Sequence, residues 1–250
     1  MQFEEIGQGR AIVFLHGAPS PSTDFLPLAQ ALSSEFRSLI VDLPGYRGQP
    51  PLSGPDAFAR TQAMIEDALQ ARGISEIAVV GFSGGAIRAF SLAFSGRIRA
   101  TALLAVGGFA GLDPATREAF RGTAEAIRAG QLPAAALPGL FLSPAFRSAH
   151  PEKLPEVERW LDLIPAAALA DEVLSVAVDA PDFRPRLHEL TLPMMAIVGE
   201  LDQAASPAWT QALPESNPAI ETEVVPGAGH ALLMERPDRV LAALRRTLSR

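Results

Sequence analysis

The sequence predicts an α/β protein: a mostly parallel central sheet with helices on both faces, interrupted by an all-helical insertion. Three observations carry this. Short apolar runs recur along the chain, helical patterns separate them, and the alternation stops over residues 107–190, where nine of the 22 prolines fall and no strand pattern stands out. A fold of this kind can hold 250 residues as one unit. The expected division is therefore a core made of residues 1–106 and 191–250, with 107–190 as a helical cap.

The elements follow in order. Ala11 to Leu15, Ser38 to Val41 and Ile77 to Val80 are runs too uniformly apolar for a half-exposed strand, and read as strands buried on both faces. Between the second and third, Phe58, Met64, Ile65, Ala68 and Leu69 draw an apolar stripe along a helix from Asp56 to Arg72, which Gly73 stops. Ala86 to Phe94 reads as a further helix, and Ala100 to Val106 as a fourth strand. Inside the insertion, Asp113-Pro114 sets an N-cap and first turn, and Gly130 closes that helix. Two more helices are expected over Glu156 to Ile164 and Ala166 to Val178. Strands at Met194 to Val198 and Ile220 to Val225 and a helix from Arg236 to Leu248 complete the core. A helical insertion between two parallel strands is most simply laid over the carboxyl edge, where such sheets bind ligands.

Composition removes several classes of function. The chain has no cysteine, which excludes disulfide frameworks, thiolate metal sites and thiol nucleophiles. A net charge of −7 with no basic cluster argues against a nucleic-acid partner. The acidic start, Met1 to Glu5, is unlike a signal peptide, and the weakly polar stretch Ala100 to Leu112 falls short of the roughly 18 residues a membrane span needs. A cytoplasmic protein with no membrane partner is expected. No two histidines share a ligand spacing and no carboxylate cluster is found, so neither a metal nor a cofactor is expected.

The chemistry concentrates at Val79-Val80-Gly81-Phe82-Ser83-Gly84-Gly85-Ala86. A serine set between glycines, directly after a buried strand and before a helix, is the nucleophile-elbow pattern: the tight turn pushes Ser83 toward positive φ, and side chains at 81 or 85 would strike neighbouring backbone. A hydroxyl needs a base within hydrogen-bond reach and the base needs an orienting carboxylate. His230, in the loop between the last strand and the last helix, is the candidate base, whereas His150 and His188 fall in the insertion and His16 reads as a residue that holds its own loop in place. Asp202 is the candidate carboxylate, preferred to Glu200 because it stands two residues further beyond the strand end. Oxyanion donors are expected from the backbone N–H of Gly84, at the helix start, and of Ala18, since Pro19 has no N–H.

Taken together, His16-Gly17-Ala18-Pro19, the loop Val41 to Gly48, Gly81 to Gly85, the segment around Asp202 and Gly229-His230 resemble the α/β-hydrolase superfamily over nearly the whole chain. The order Ser83, Asp202, His230 is that of this superfamily. The resemblance implies a serine hydrolase that cleaves a carboxylic ester or lactone through an acyl-enzyme on Ser83. Breakage of a carbon–carbon bond on the same three residues, or ligand capture with little turnover, stays open as an alternative. Relatives with an aspartate nucleophile are set aside because Ser83 stands in that place. Position 84 departs from the pattern, since a larger residue often follows the serine, and Ala18 is small where an aromatic is frequent. Both changes are expected to leave room beside the oxyanion. Phe109, Phe141, Phe146 and Trp160 are the candidate substrate contacts, and a small apolar ester or lactone is the expected partner.

Overall fold

The computed structural model describes residues 1–249, and seven strands in it form one sheet. They are β1 (Gln2–Ile6), β2 (Arg10–Leu15), β3 (Phe36–Asp42), β4 (Glu76–Phe82), β5 (Arg99–Val106), β6 (Met194–Gly199) and β7 (Glu221–Val225). Their order across the sheet is β1-β3-β2-β4-β5-β6-β7, parallel throughout except that β1 runs antiparallel to β3. Strand β1 has no counterpart among the apolar runs. It is a half-exposed edge strand that includes Gln2, Glu4 and Glu5, so its pairing partner, not its own hydrophobicity, makes it a strand.

Side chains alternate between two cores, as a strand's period of two requires. Val13, Leu15, Leu39, Val41, Val79 and Leu103 enter one, while Ile12, Phe14, Ile40, Val80, Leu104 and Val106 enter the other. Helices α2 (Ala57–Gln70) and α3 (Gly84–Phe94) cover the first face through Phe58, Ile65, Leu69, Ile87 and Phe90. Helix α1 (Leu26–Leu32), which the sequence pattern did not pick out, covers the second face through Leu28 and Leu32.

Residues 107–190 are helical, with no strand among the described residues. Helix α4 (Pro114–Arg128) begins as expected, with Asp113 Oδ1 accepting the Thr116 N–H at 2.9 Å. Three short helices, α5 (Leu137–Phe141), α6 (Pro144–Ala149) and α7 (Leu154–Glu158), precede α8 (Ala166–Leu174). The expected helix over 156–164 is broken: α7 ends at Glu158 and a 3₁₀ turn over Arg159–Leu163 carries Trp160 into a small core with Leu137, Phe141 and Val157. Helix α8 runs into a widened π turn, Ser175–Asp179. After β6 come α9 (Pro207–Gln211) and α10 (Leu213–Ser216), and after β7 come α11 (Leu232–Glu235) and α12 (Pro237–Leu248), which packs with α1 on the second face. No described helix is long and apolar enough to cross a membrane.

Candidate active site

Ser83 is the link between β4 and α3, with φ +54° and ψ −122°, a conformation in which a side chain is rarely held. Its surroundings explain how it is held. The Ser83 N–H donates to the Val106 carbonyl at 2.8 Å, tying the turn to the neighbouring strand. A Cβ on Gly81 would lie 2.3 Å from the Gly85 carbonyl oxygen, and one on Gly85 would lie 2.1 Å from that of Leu15. Both glycines are therefore required by backbone packing, as the sequence pattern implied.

Asp202 and His230 arrive from two other strands at the same edge. The Asp202 carboxylate can only accept, so His230 carries its proton on Nδ1 and donates to Oδ2 at 2.7 Å. The other carboxylate oxygen accepts the Ala204 and Ala205 N–H groups at 2.9 and 2.7 Å, which fixes the carboxylate plane. His230 lies between the rings of Phe82 and Phe141, at 5.0 and 5.1 Å, and its Nε2 is buried with no hydrogen-bond partner. Glu200, the other carboxylate on this loop, instead accepts the Gly227 N–H at 2.8 Å in an exposed position.

The histidine loop is tied to the insertion by a residue the sequence reading did not single out. Glu235 accepts the Ser143 N–H at 2.7 Å and hydroxyl at 2.8 Å, and the Gly229 N–H at 3.1 Å, while Ala231 N–H donates to the Phe141 carbonyl at 2.9 Å. Nothing in the local pattern marks Glu235, because its partners lie 92 and six residues away.

His16 has a structural position. Its Nε2 accepts the Leu43 N–H at 3.1 Å, so Nδ1 is protonated and faces the Gly17 carbonyl at 2.9 Å; its ring meets Tyr46 edge-on at 4.4 Å. Burial holds its pKa down at about 4, so it is neutral at pH 7. In the same region Ser22 donates to Asp42 at 2.5 Å, and Arg47 lies 3.5 Å from the other Asp42 oxygen.

A cavity of about 400 Å³ separates this edge of the sheet from the insertion. Ser83, Gly84 and Ala18 form its floor, and Phe109, Phe141 and Trp209 are part of its wall. Phe109 and Trp209 meet edge-on at 5.6 Å. Phe146 and Trp160 are not in the wall. Trp160 packs behind Phe141 at 5.3 Å, and Phe146 turns away onto His150 at 4.5 Å, because both belong to the insertion's own small core. The expected room beside Gly84 is also absent. A Cβ on Gly84 would come within 3.0 Å of Val176 Cγ2, so a side chain from the insertion fills it. Helical periodicity could mark Leu169, Val173 and Val176 as one apolar face, though not which neighbour that face meets. A larger cleft, about 750 Å³, opens at the amino edge of the sheet between Arg10, Glu76, Arg99 and Glu189; it contains none of the candidate residues and lies at the end of the strands where such sheets do not place their sites.

The fold is matched by the comparisons with known proteins. A family model described as the alpha/beta hydrolase family aligns with residues 12–243. The chain belongs to this family. Among similar α/β-hydrolases is a 2-succinyl-6-hydroxy-2,4-cyclohexadiene-1-carboxylate synthase from Escherichia coli, 28% identical over 243 residues that span 95% of this chain and 93% of that one. A pimeloyl-[acyl-carrier protein] methyl ester esterase from Aeromonas hydrophila is 27% identical, covering 95% of both chains. A thermophilic esterase from Thermogutta terrifontis superimposes with a TM-score of 0.85 at 28% identity, over 99% of this chain and 92% of that one. The similarity thus runs through the insertion as well as the core.

Proposed function

We propose that this α/β-hydrolase cleaves a small, uncharged carboxylic ester or lactone through an acyl-enzyme on Ser83. The observation that supports it most is the Asp202–His230 hydrogen bond of 2.7 Å, which leaves His230 Nε2 without a partner and free to take a proton. The His230 ring packs on Phe82, next to Ser83 in the chain, and on Phe141, which lines the cavity together with Ser83. In this reading His230 removes the Ser83 proton as Oγ attacks the carbonyl carbon, and Asp202 holds the imidazole tautomer and stabilises the imidazolium. The Gly84 and Ala18 N–H groups receive the developing oxyanion. The leaving alcohol takes the proton from His230, and water, activated by the same imidazole, then releases the acid.

The wall argues for the substrate's polarity. Its polar side chains are Ser83, Thr116, Thr123 and Gln203, and no Lys, Arg, Asp or Glu lines it among the described residues. A carboxylate enclosed there would have no cation to pair with, a costly arrangement. The synthase relatives, whose product by name carries a carboxylate, are for that reason a poorer guide than the esterases. The test is labelling of the purified protein by a fluorophosphonate, together with turnover of p-nitrophenyl butyrate. Both are expected in the native protein and neither in Ser83→Ala. Full turnover in Ser83→Ala refutes the role of Ser83, and a native protein that neither labels nor turns over ester is a ligand-capturing protein instead.

A further inference from the structure

The contact between α3 and the end of α8 has a register that explains how position 84 can be glycine. On α3, Gly84 and Arg88 are four residues apart and so lie on one face, one turn above the other. On α8 and its π turn, Glu172 and Val176 have the same spacing. The two pairs meet in reversed order: Val176 sits on Gly84, and Glu172 meets Arg88. The Arg88 guanidinium, fully buried, donates to Glu172 through Nε at 3.3 Å and through Nη2 at 3.0 and 2.9 Å, and Nη2 also reaches Ser175 Oγ at 3.2 Å. The guanidinium carbon also lies over the Phe58 ring, 4.9 Å from its centroid. A slip of one residue between the helices would separate this pair, so the ion pair fixes which side chain lands on Gly84.

Val176 in turn is 6% exposed and forms part of the cavity wall next to Gly84. Its Cγ2, Cβ and Cγ1 would stand 3.0, 3.5 and 3.6 Å from a Cβ at position 84, so it occupies the volume a side chain there would take. We propose that Val176 is a specificity-determining residue: carried by the insertion and held in register by Arg88 and Glu172, it replaces the side chain that position 84 lacks and limits the bulk of the acyl group beside the oxyanion. The inference rests on the proposed ester cleavage at Ser83 and deepens it. The substrate class it selects is an ester with an unbranched acyl group at the carbon next to the carbonyl.

The experiment compares kcat/KM for p-nitrophenyl acetate, isobutyrate and pivalate in the native protein and in Val176→Ala, Val176→Thr and Gly84→Ala/Val176→Ala. Each methyl group admitted or refused by an apolar pocket shifts selectivity by about tenfold or more. Val176→Ala is therefore expected to raise the pivalate-to-acetate ratio at least about tenfold. Val176→Thr keeps the shape and should keep the native ratio, while the double variant, with a methyl group restored from the other side, should fall back toward it. An unchanged ratio in Val176→Ala, in a protein that still cleaves acetate and still labels with fluorophosphonate, overturns the inference and leaves the proposed function standing. A native protein that neither cleaves nor labels overturns both.

Discussion

Removal of one partner of the Arg88–Glu172 pair should cost more than removal of both. An arginine keeps its charge, and Arg88 is fully buried, whereas the Glu172 side chain is about 10% exposed and can reach water. In Glu172→Leu the guanidinium would lose the acceptor of its Nε and of the shortest Nη2 bonds and keep only Ser175 Oγ and the Phe58 face, with Nη1 already lacking a partner. A buried ion left this way costs about 3–5 kcal/mol. For a chain of this size that is a drop in Tm on the order of 6–20 °C, at roughly 2–4 °C per kcal/mol. Arg88→Met should fall at the low end, because the stranded carboxylate has a route to solvent. The double variant Arg88→Met/Glu172→Leu exchanges the pair for apolar side chains and should return to within about 1 kcal/mol of the native protein. Urea unfolding followed by the fluorescence of Trp160 and Trp209 measures all four proteins. Single variants within about 1 kcal/mol of native, or a double variant as unstable as Glu172→Leu, would refute the reasoning, since either result means that the charges are not enclosed as the geometry has them.

Other outcomes follow from the same contacts. Asp202→Asn keeps an acceptor for Ala204 and Ala205 but turns a donor toward His230 Nδ1, which enforces the wrong tautomer; kcat for p-nitrophenyl butyrate should fall by about 10⁴ with Tm little changed. Glu235→Gln leaves one acceptor for Ser143 and presents N–H to the Gly229 N–H, a loss of about 1–3 kcal/mol in urea unfolding. For His16, burial lowers the folded pKa from 6.5 to about 4. The unfolded chain therefore binds the proton first as pH falls, and the contribution is complete above pH 6.5 and lost progressively down to about 4, amounting to about 3 kcal/mol. His16→Gln should flatten the fall in urea-unfolding stability between these pH values by up to one proton, and an unchanged slope would show that His16 is not held neutral.

Much of the candidate site was legible because its parts are local. Gly81 is required by backbone at Gly85 that the turn itself brings close, Gly85 by the Leu15 carbonyl on the neighbouring strand β2, and the carboxyl ends of the parallel strands deliver Asp202 and His230 to the edge where Ser83 sits. The edge strand β1 was not legible, since its residues are polar and only pairing with β3 orders them. Phe146 and Trp160 were misplaced for a related reason: an aromatic side chain in a helical insertion carries no mark of whether it faces the cavity or the insertion's own core.

The sequence by itself determined the alternation of buried strands and helices, the serine turn and the chain order of the three candidate catalytic residues, because each depends on residues close together or on the direction of a strand. Only the tertiary structure decided what stands beside Gly84. The sequence leaves an empty position there, and Val176, 92 residues further on, fills it through a helix register that the buried Arg88–Glu172 pair sets. Contacts between side chains so distant along the chain depend on how two helices are phased against each other, and neither helix carries that phase in its own pattern of apolar residues.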